Sequence, residues 1–177
     1  MHLELMRDRA KTFPAIGLPS EIRKLRIWHC KYKSLRALAE FEELEELVIA
    51  TFPDDSLEAL ASLGKLRSLS ILHMPRVTSL EALARMEKIE SLSLATSPAW
   101  DAAGKCTIVS SLEPLTKMRS LRHMELFGVC PPDKSLAVLA QCKKLQTARF
   151  SQYTKDEVER FYKTTGVANK FNPTPTF

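Results

Sequence analysis

Apolar and polar positions along the chain follow one recurring design. An apolar residue is followed three places on by an apolar-x-apolar pair, then by serine and a second apolar pair spaced i, i+3. Ile22, Leu25 and Ile27 lead to Ser34-Leu35-Arg-Ala-Leu38; Leu44, Leu47 and Ile49 lead to Ser56-Leu57-Glu-Ala-Leu60. Leu66, Leu69 and Ile71 lead to Ser79-Leu80-Glu-Ala-Leu83; Ile89, Leu92 and Leu94 to Ser111-Leu112-Glu-Pro-Leu115; Leu121, Met124 and Leu126 to Ser135-Leu136-Ala-Val-Leu139. A sixth copy opens at Leu145 with Ala148 and Phe150, and a degenerate first copy carries Leu3-Glu-Leu5 and Thr12-Phe13-Pro-Ala-Ile16. Successive starts at 22, 44, 66, 89, 121 and 145 set a period near 22 residues, broken once by a longer step.

Each half of the unit predicts an element. The apolar-x-apolar pair has period two, so both side chains leave the same face of a short strand. Serine before Leu-x-x-Leu supplies a hydroxyl that accepts from an unpaired first-turn N–H, and the i, i+3 spacing puts both leucines on one helical face. Neither piece buries its apolar face alone, whereas stacked units share one core. The fold class is therefore an α/β solenoid of about seven parallel strands on a concave face, with short helices on the convex face. Thr154-x-x-Glu157 reads as a capping box opening a C-terminal helix over 154–165, ended by Gly166. Residues 1–166 form the solenoid, with a degenerate first repeat at 1–21 and an insertion at 98–110; residues 167–177 form a tail that folds back through Phe171 or stays partly disordered.

The pattern resembles the leucine-rich repeat family in its short-period class, which includes bacterial internalins and a regulatory subunit of protein phosphatase 1. The resemblance implies a non-catalytic module that binds a partner protein through its concave face. The family's asparagine at the end of the strand motif is replaced here by Cys30, Phe52, Met74, Ser97, Val129 and Tyr153, so apolar packing is expected at that turn.

Composition narrows the function. Five glycines are too few for an enzyme built on glycine-rich phosphate turns. No apolar run is long enough to cross a bilayer, and the first eleven residues lack the apolar centre of a signal peptide; a cytosolic protein is expected. Cys30, Cys106, Cys130 and Cys142 show no C-x-x-C spacing and are expected to be free thiols. His29 and His73 share a column with Thr51 between them, about 10 Å apart, which is too far for a shared zinc ion. They are expected at the surface. No catalytic, cofactor or metal residues are assigned.

The strand residues that alternate with the core define the candidate surface. Arg26 and Trp28 lie on one side, and Glu125, Phe127 and Arg149 on the other. Val48, Ser70, Leu72 and Ser93 lie between. Exposed Trp, Phe and Arg are the types that carry binding energy at interfaces. The fourth repeat's extra loop adds Trp100 as a further anchor. Residues 143–177 hold seven Lys/Arg against three Asp/Glu, near Phe150, Tyr153 and Tyr162. That mixture suits single-stranded nucleic acid, though solvated lysines on a capping helix are the simpler reading and nucleic acid is not expected. The partner is a protein. An inhibitor or immunity-type protein is the finer reading, and a regulatory or adaptor subunit the alternative. The first strand begins close to Met1 with an open edge, guarded by Glu4, Arg7 and the charged stretch to Lys11; a monomer is expected.

Overall fold

The computed structural model describes residues 1–171. Among these residues ten strands form: β1 (His2–Met6), β2 (Lys24–Trp28), β3 (Glu46–Ala50), β4 (Ser68–Leu72), β5 (Ser91–Ala95), β6 (Thr107–Ile108), β7 (His123–Phe127), β8 (Val129–Cys130), β9 (Thr147–Ser151) and β10 (Ala168–Asn169). Eight of them make one sheet in the order β1-β2-β3-β4-β5-β7-β9-β10. Every neighbour pair is parallel. Parallel strands cannot be joined by tight hairpins, so between successive strands of the large sheet a helical turn brings the chain back.

The register aligns the repeat. Leu3, Leu25, Leu47, Leu69, Leu92, Met124 and Ala148 form one inward row, and Leu5, Ile27, Ile49, Ile71, Leu94, Leu126 and Phe150 the next. From Leu25 to Leu126 both rows are essentially sealed from water. Burying each such side chain is worth about 1.5–3 kcal/mol, so these rows and the leucines of the turns hold the stack together. At the two ends of the rows, Leu3, Leu5 and Phe150 are only partly buried.

The turns are tighter than the sequence suggests. Arg36–Glu40, Glu58–Leu60, Glu81–Arg85 and Ala137–Gln141 are 3-10 turns, and only α2 (Glu113–Thr116) in this set is α-helical. A Leu-x-x-Leu motif offers one turn of apolar face and nothing to propagate it, and helices this short lack cooperative support. The serines nevertheless do what their chemistry predicts, two residues on. Ser34, Ser56, Ser79, Ser111 and Ser135 each accept at Oγ from the N–H of Arg36, Glu58, Glu81, Glu113 and Ala137, at 3.0–3.3 Å.

The C-terminal helix α3 (Lys155–Thr165) ends at Gly166 in the left-handed region. Its capping box is half made. Thr154 Oγ1 accepts from Glu157 N, but the Glu157 carboxylate turns away and accepts from Leu136 N at 2.6 Å, tying the helix to the previous repeat. Beyond Gly166, Ala168–Asn169 pairs with Thr147 and Ala148 as the sheet's eighth strand. The rest of the expected tail, from residue 172 on, lies outside the described residues.

Candidate partner-binding surface

The outward side chains of the strands form three rows perpendicular to the strand direction, fixed by the same register. The first runs Lys24, Glu46, Ser68, Ser91, His123, Thr147; the second Arg26, Val48, Ser70, Ser93, Glu125, Arg149; the third Trp28, Ala50, Leu72, Ala95, Phe127, Ser151. The floor is small: Ala50, Val48, Ser91 and Ser93 are all under 9% exposed. Val48 and Ser93 thus offer support more than contact area.

Two similar clusters stand at the ends of this floor. Arg26 lies over the Trp28 ring at 5.9 Å from its centroid, and Arg149 over Phe127 at 4.8 Å. Each guanidinium also meets a carboxylate: Arg26 with Glu4 at 3.6 Å, Arg149 with Glu125 at 3.7 Å. Glu125 accepts in addition from Ser93 Oγ at 2.9 Å. These contacts hold long side chains in one geometry, so little rotamer entropy is left to lose on binding. Ser70 and Leu72 lie between the clusters, half-buried.

The insertion bends into a strap along the C-terminal ends of the strands. Its helix α1 (Pro98–Ala102) is capped by Ser97, whose Oγ accepts from Trp100 N at 3.4 Å. Ser97 is thereby drawn out of the apolar turn position that the repeat alignment gives it. Cys30, Phe52, Met74 and Val129 do fill theirs, and all are buried. Trp100 packs edge-to-face on His73, centroids 4.9 Å apart, and His73 Nδ1 accepts from Ser97 N at 3.3 Å. His73 is therefore partly covered, and burial holds its imidazole below the usual range. At the other end, Asp101 Oδ1 accepts from Ser151 Oγ at 2.6 Å and from Gln152 Nε2 at 3.0 Å. Further on, β6 and β8 pair as a small second sheet. The strap spans from β4 to β9, about 14 Å at ordinary strand spacing.

The aromatic residues of the basic C-terminal end are committed to packing. Phe150 meets Tyr153, Phe161 and Tyr162 within 6.1 Å. Tyr153 and Tyr162 donate to the carbonyls of Val129 and Ala148. Rings spent in this way make no stacking platform for bases.

Sequence reasoning did not single out Met6. It stands opposite Trp28, extends the third row by one strand, and is 47% exposed. Carrying the alignment of Leu3 and Leu5 with Leu25 and Ile27 one residue further would have found it.

No protein-family model matches the chain, and no curated protein matches it in sequence. Solved structures do. An internalin, inlF, of Listeria monocytogenes strain 4b F2365 superposes with a TM-score of 0.58 at 16% identity, covering 84% of this chain and 47% of its own. Internalin C2 of the same strain superposes with a TM-score of 0.50 at 16% identity, covering 85% of this chain and 71% of its own. This chain therefore spans about half the length of the first of these neighbours. Parallel register, inward leucine rows and these neighbours together establish that the chain has a leucine-rich-repeat fold of the kind found in internalins.

Proposed function

We propose that the protein is a non-catalytic module that binds a partner protein on the outward, concave face of its sheet. The observation that carries this reading is the pair of arginine-on-aromatic clusters, Arg26/Trp28 and Arg149/Phe127, held rigid at either end of a small-residue floor. Trp and Arg dominate interface hot spots, Phe is enriched in interface cores, and preorganisation lowers the entropic cost of using them. The strap adds Trp100 at the rim, held against His73.

The finer reading is an inhibitor or immunity-type protein that occludes a partner enzyme, with a regulatory or adaptor subunit as the alternative. Both take the protein as cytosolic and monomeric. All four cysteines are free thiols.

The test is capture from the native cell with wild-type protein and with the double variant Trp28→Ala/Phe127→Ala. A partner held by wild type and lost from a correctly folded double variant supports the reading. A single toxin-like enzyme whose activity falls on binding supports the inhibitor role; a phosphatase or ligase supports the adaptor role. Undiminished capture by the double variant would move the site off this face.

A further inference from the structure

Beside the start of the apolar row, the chain carries a basic edge that the net charge conceals. Residues 7–11 leave β1 and run parallel to residues 28–33. Three backbone bonds fasten them: Arg7 N to Trp28 O, Lys31 N to Asp8 O and Lys33 N to Lys11 O, at 2.8–2.9 Å. Tyr32 Oη donates to Asp8 Oδ2 at 2.7 Å, and Phe13 packs edge-to-face on Tyr32 and Phe41 behind it.

This double track presents Arg7, Arg9, Lys11, Lys31 and Lys33 to solvent, all exposed. None of the five pairs with a carboxylate among the described residues. The one acid inside the track, Asp8, is already held by Tyr32 and by Ala10 N. On the adjoining turn, Asp54 is taken by Ser34 Oγ and Leu35 N. Five like charges fixed on adjacent tracks repel one another, and Asp8 and Asp54 are spent elsewhere. A surface of this kind is complementary to negative charge brought from outside.

We propose that this edge docks an acidic segment of the partner protein, an amphipathic helix whose apolar stripe lies on the row from Met6 to Phe127. The proposal rests on the concave-face reading above and specifies the chemistry of the partner. The row crosses six strands, about 24 Å, and matches a helix of about 16 residues. A protein segment fits better than nucleic acid because the row beside the cations continues over a small buried floor at Ala50 to the half-buried, aliphatic Leu72, rather than as successive exposed rings.

The test titrates the full chain, at low salt and with backbone amide resonances followed, against three probes. The first is a synthetic amphipathic helix with a leucine stripe and glutamate flanks. The second is the same peptide with lysine for glutamate, and the third an oligothymidylate of equal negative charge. The acidic peptide should shift residues 7–11 and 29–33 together with Trp28 and Leu72. Its affinity should fall about tenfold or more in Lys31→Glu/Lys33→Glu, and also with added salt. Those two side chains are exposed, so the thermal midpoint of that variant should stay near wild type; Lys31→Gln/Lys33→Gln gives the same comparison without reversed charge.

Failure of the acidic peptide to bind would overturn the proposal. So would equal binding of the lysine peptide, unchanged affinity in the charge variants, or oligothymidylate binding as tightly as the peptide. With the captured partner the two readings separate. Loss from Trp28→Ala/Phe127→Ala but retention by Lys31→Glu/Lys33→Glu overturns the edge alone. Retention by both overturns the concave-face reading itself.

Discussion

At the scale of single residues, the most constrained position is the one just after β1, β2, β3, β4, β7 and β9; Thr96, just after β5, keeps a negative φ. Arg7, His29, Thr51, His73, Gly128 and Gln152 all have φ between 53° and 71°. At these six exits the chain leaves the sheet through a left-handed residue, yet five of the six carry a Cβ. That conformation costs an L-residue roughly 1–2 kcal/mol, and it is rarest for β-branched residues such as threonine. Thr51 is exposed, so Thr51→Gly removes strain and little else. Urea unfolding should show stability unchanged or raised by up to about 1 kcal/mol, since glycine's greater freedom in the unfolded chain offsets part of the relief. Gly128 is the opposite case. A Cβ there would collide with Thr96 Cγ2 and crowd Asp101 Oδ1 at 3.3 Å, beneath the strap. Gly128→Ala should cost about 2 kcal/mol or more, and Thr96→Ser, which deletes the colliding methyl, should recover part of that loss in the same measurement.

At the scale of elements, carboxylates clasp one repeat to the next. Asp54 accepts from Ser34 Oγ and Leu35 N, both at 2.7 Å; near the other end Glu157 accepts from Leu136 N at 2.6 Å and pairs with Arg160. Glu157 is itself buried, so Glu157→Ala orphans a buried N–H. It should lower stability by about 2–3 kcal/mol, with Glu157→Gln losing less; denaturant titration distinguishes the two. Two histidines carry a pH dependence: His73, packed against the strap, and His123 at the start of β7 beside Thr147. His73 and His123 are both held below the ordinary value of 6.5, chiefly by burial. The folded state resists a proton that the unfolded chain accepts, so their contribution is full above about pH 6.5 and is lost as pH falls through the lower folded values. Protonation of His73 also removes the acceptor for Ser97 N. In a Trp28→Phe background, Trp100 emission should shift to the red on acidification below pH 6.5, and His73→Gln should abolish the shift. The helical turns and the strap were only partly legible in the sequence. Serine and the leucine spacing mark where each turn starts, but whether one turn becomes 3-10 or α depends on packing against its neighbours. Nothing in the run Pro98–Ser110 shows that Asp101 will reach Ser151, fifty residues away, because that contact exists only once the strands are stacked.

At the scale of the whole molecule, the fold was legible because the repeat states the same register several times, and period-two leucines admit one inward face. The outward rows followed from the same alignment, including Trp28 and Phe127. What stays hidden in a linear reading is charge brought together by stacking: Arg7 to Lys11 and Lys31 to Lys33 are separate short runs until the two tracks lie side by side. The same stacking leaves an end to manage. Among the described residues β1 has a strand partner on one side only, β2, and its outward side chains are His2, Glu4 and Met6. An open strand edge invites pairing with a second copy. Here the edge is short. Leu3 and Leu5 are already partly buried against the core, and Phe13 covers the aromatic cluster behind them. A two-fold, edge-to-edge dimer would carry the unpaired cations of residues 7–11 of both copies into one interface, at its two ends, and so bring together two surfaces of like charge. The expected outcome is a monomer, with one sedimentation coefficient across the micromolar range at physiological salt. High salt, by screening the repulsion, is the condition in which any edge pairing should first show itself. A dimer at low salt that is insensitive to concentration would contradict this, and Glu4→Pro, which places a non-donor in the edge strand, would then dissociate it if β1 were the contact.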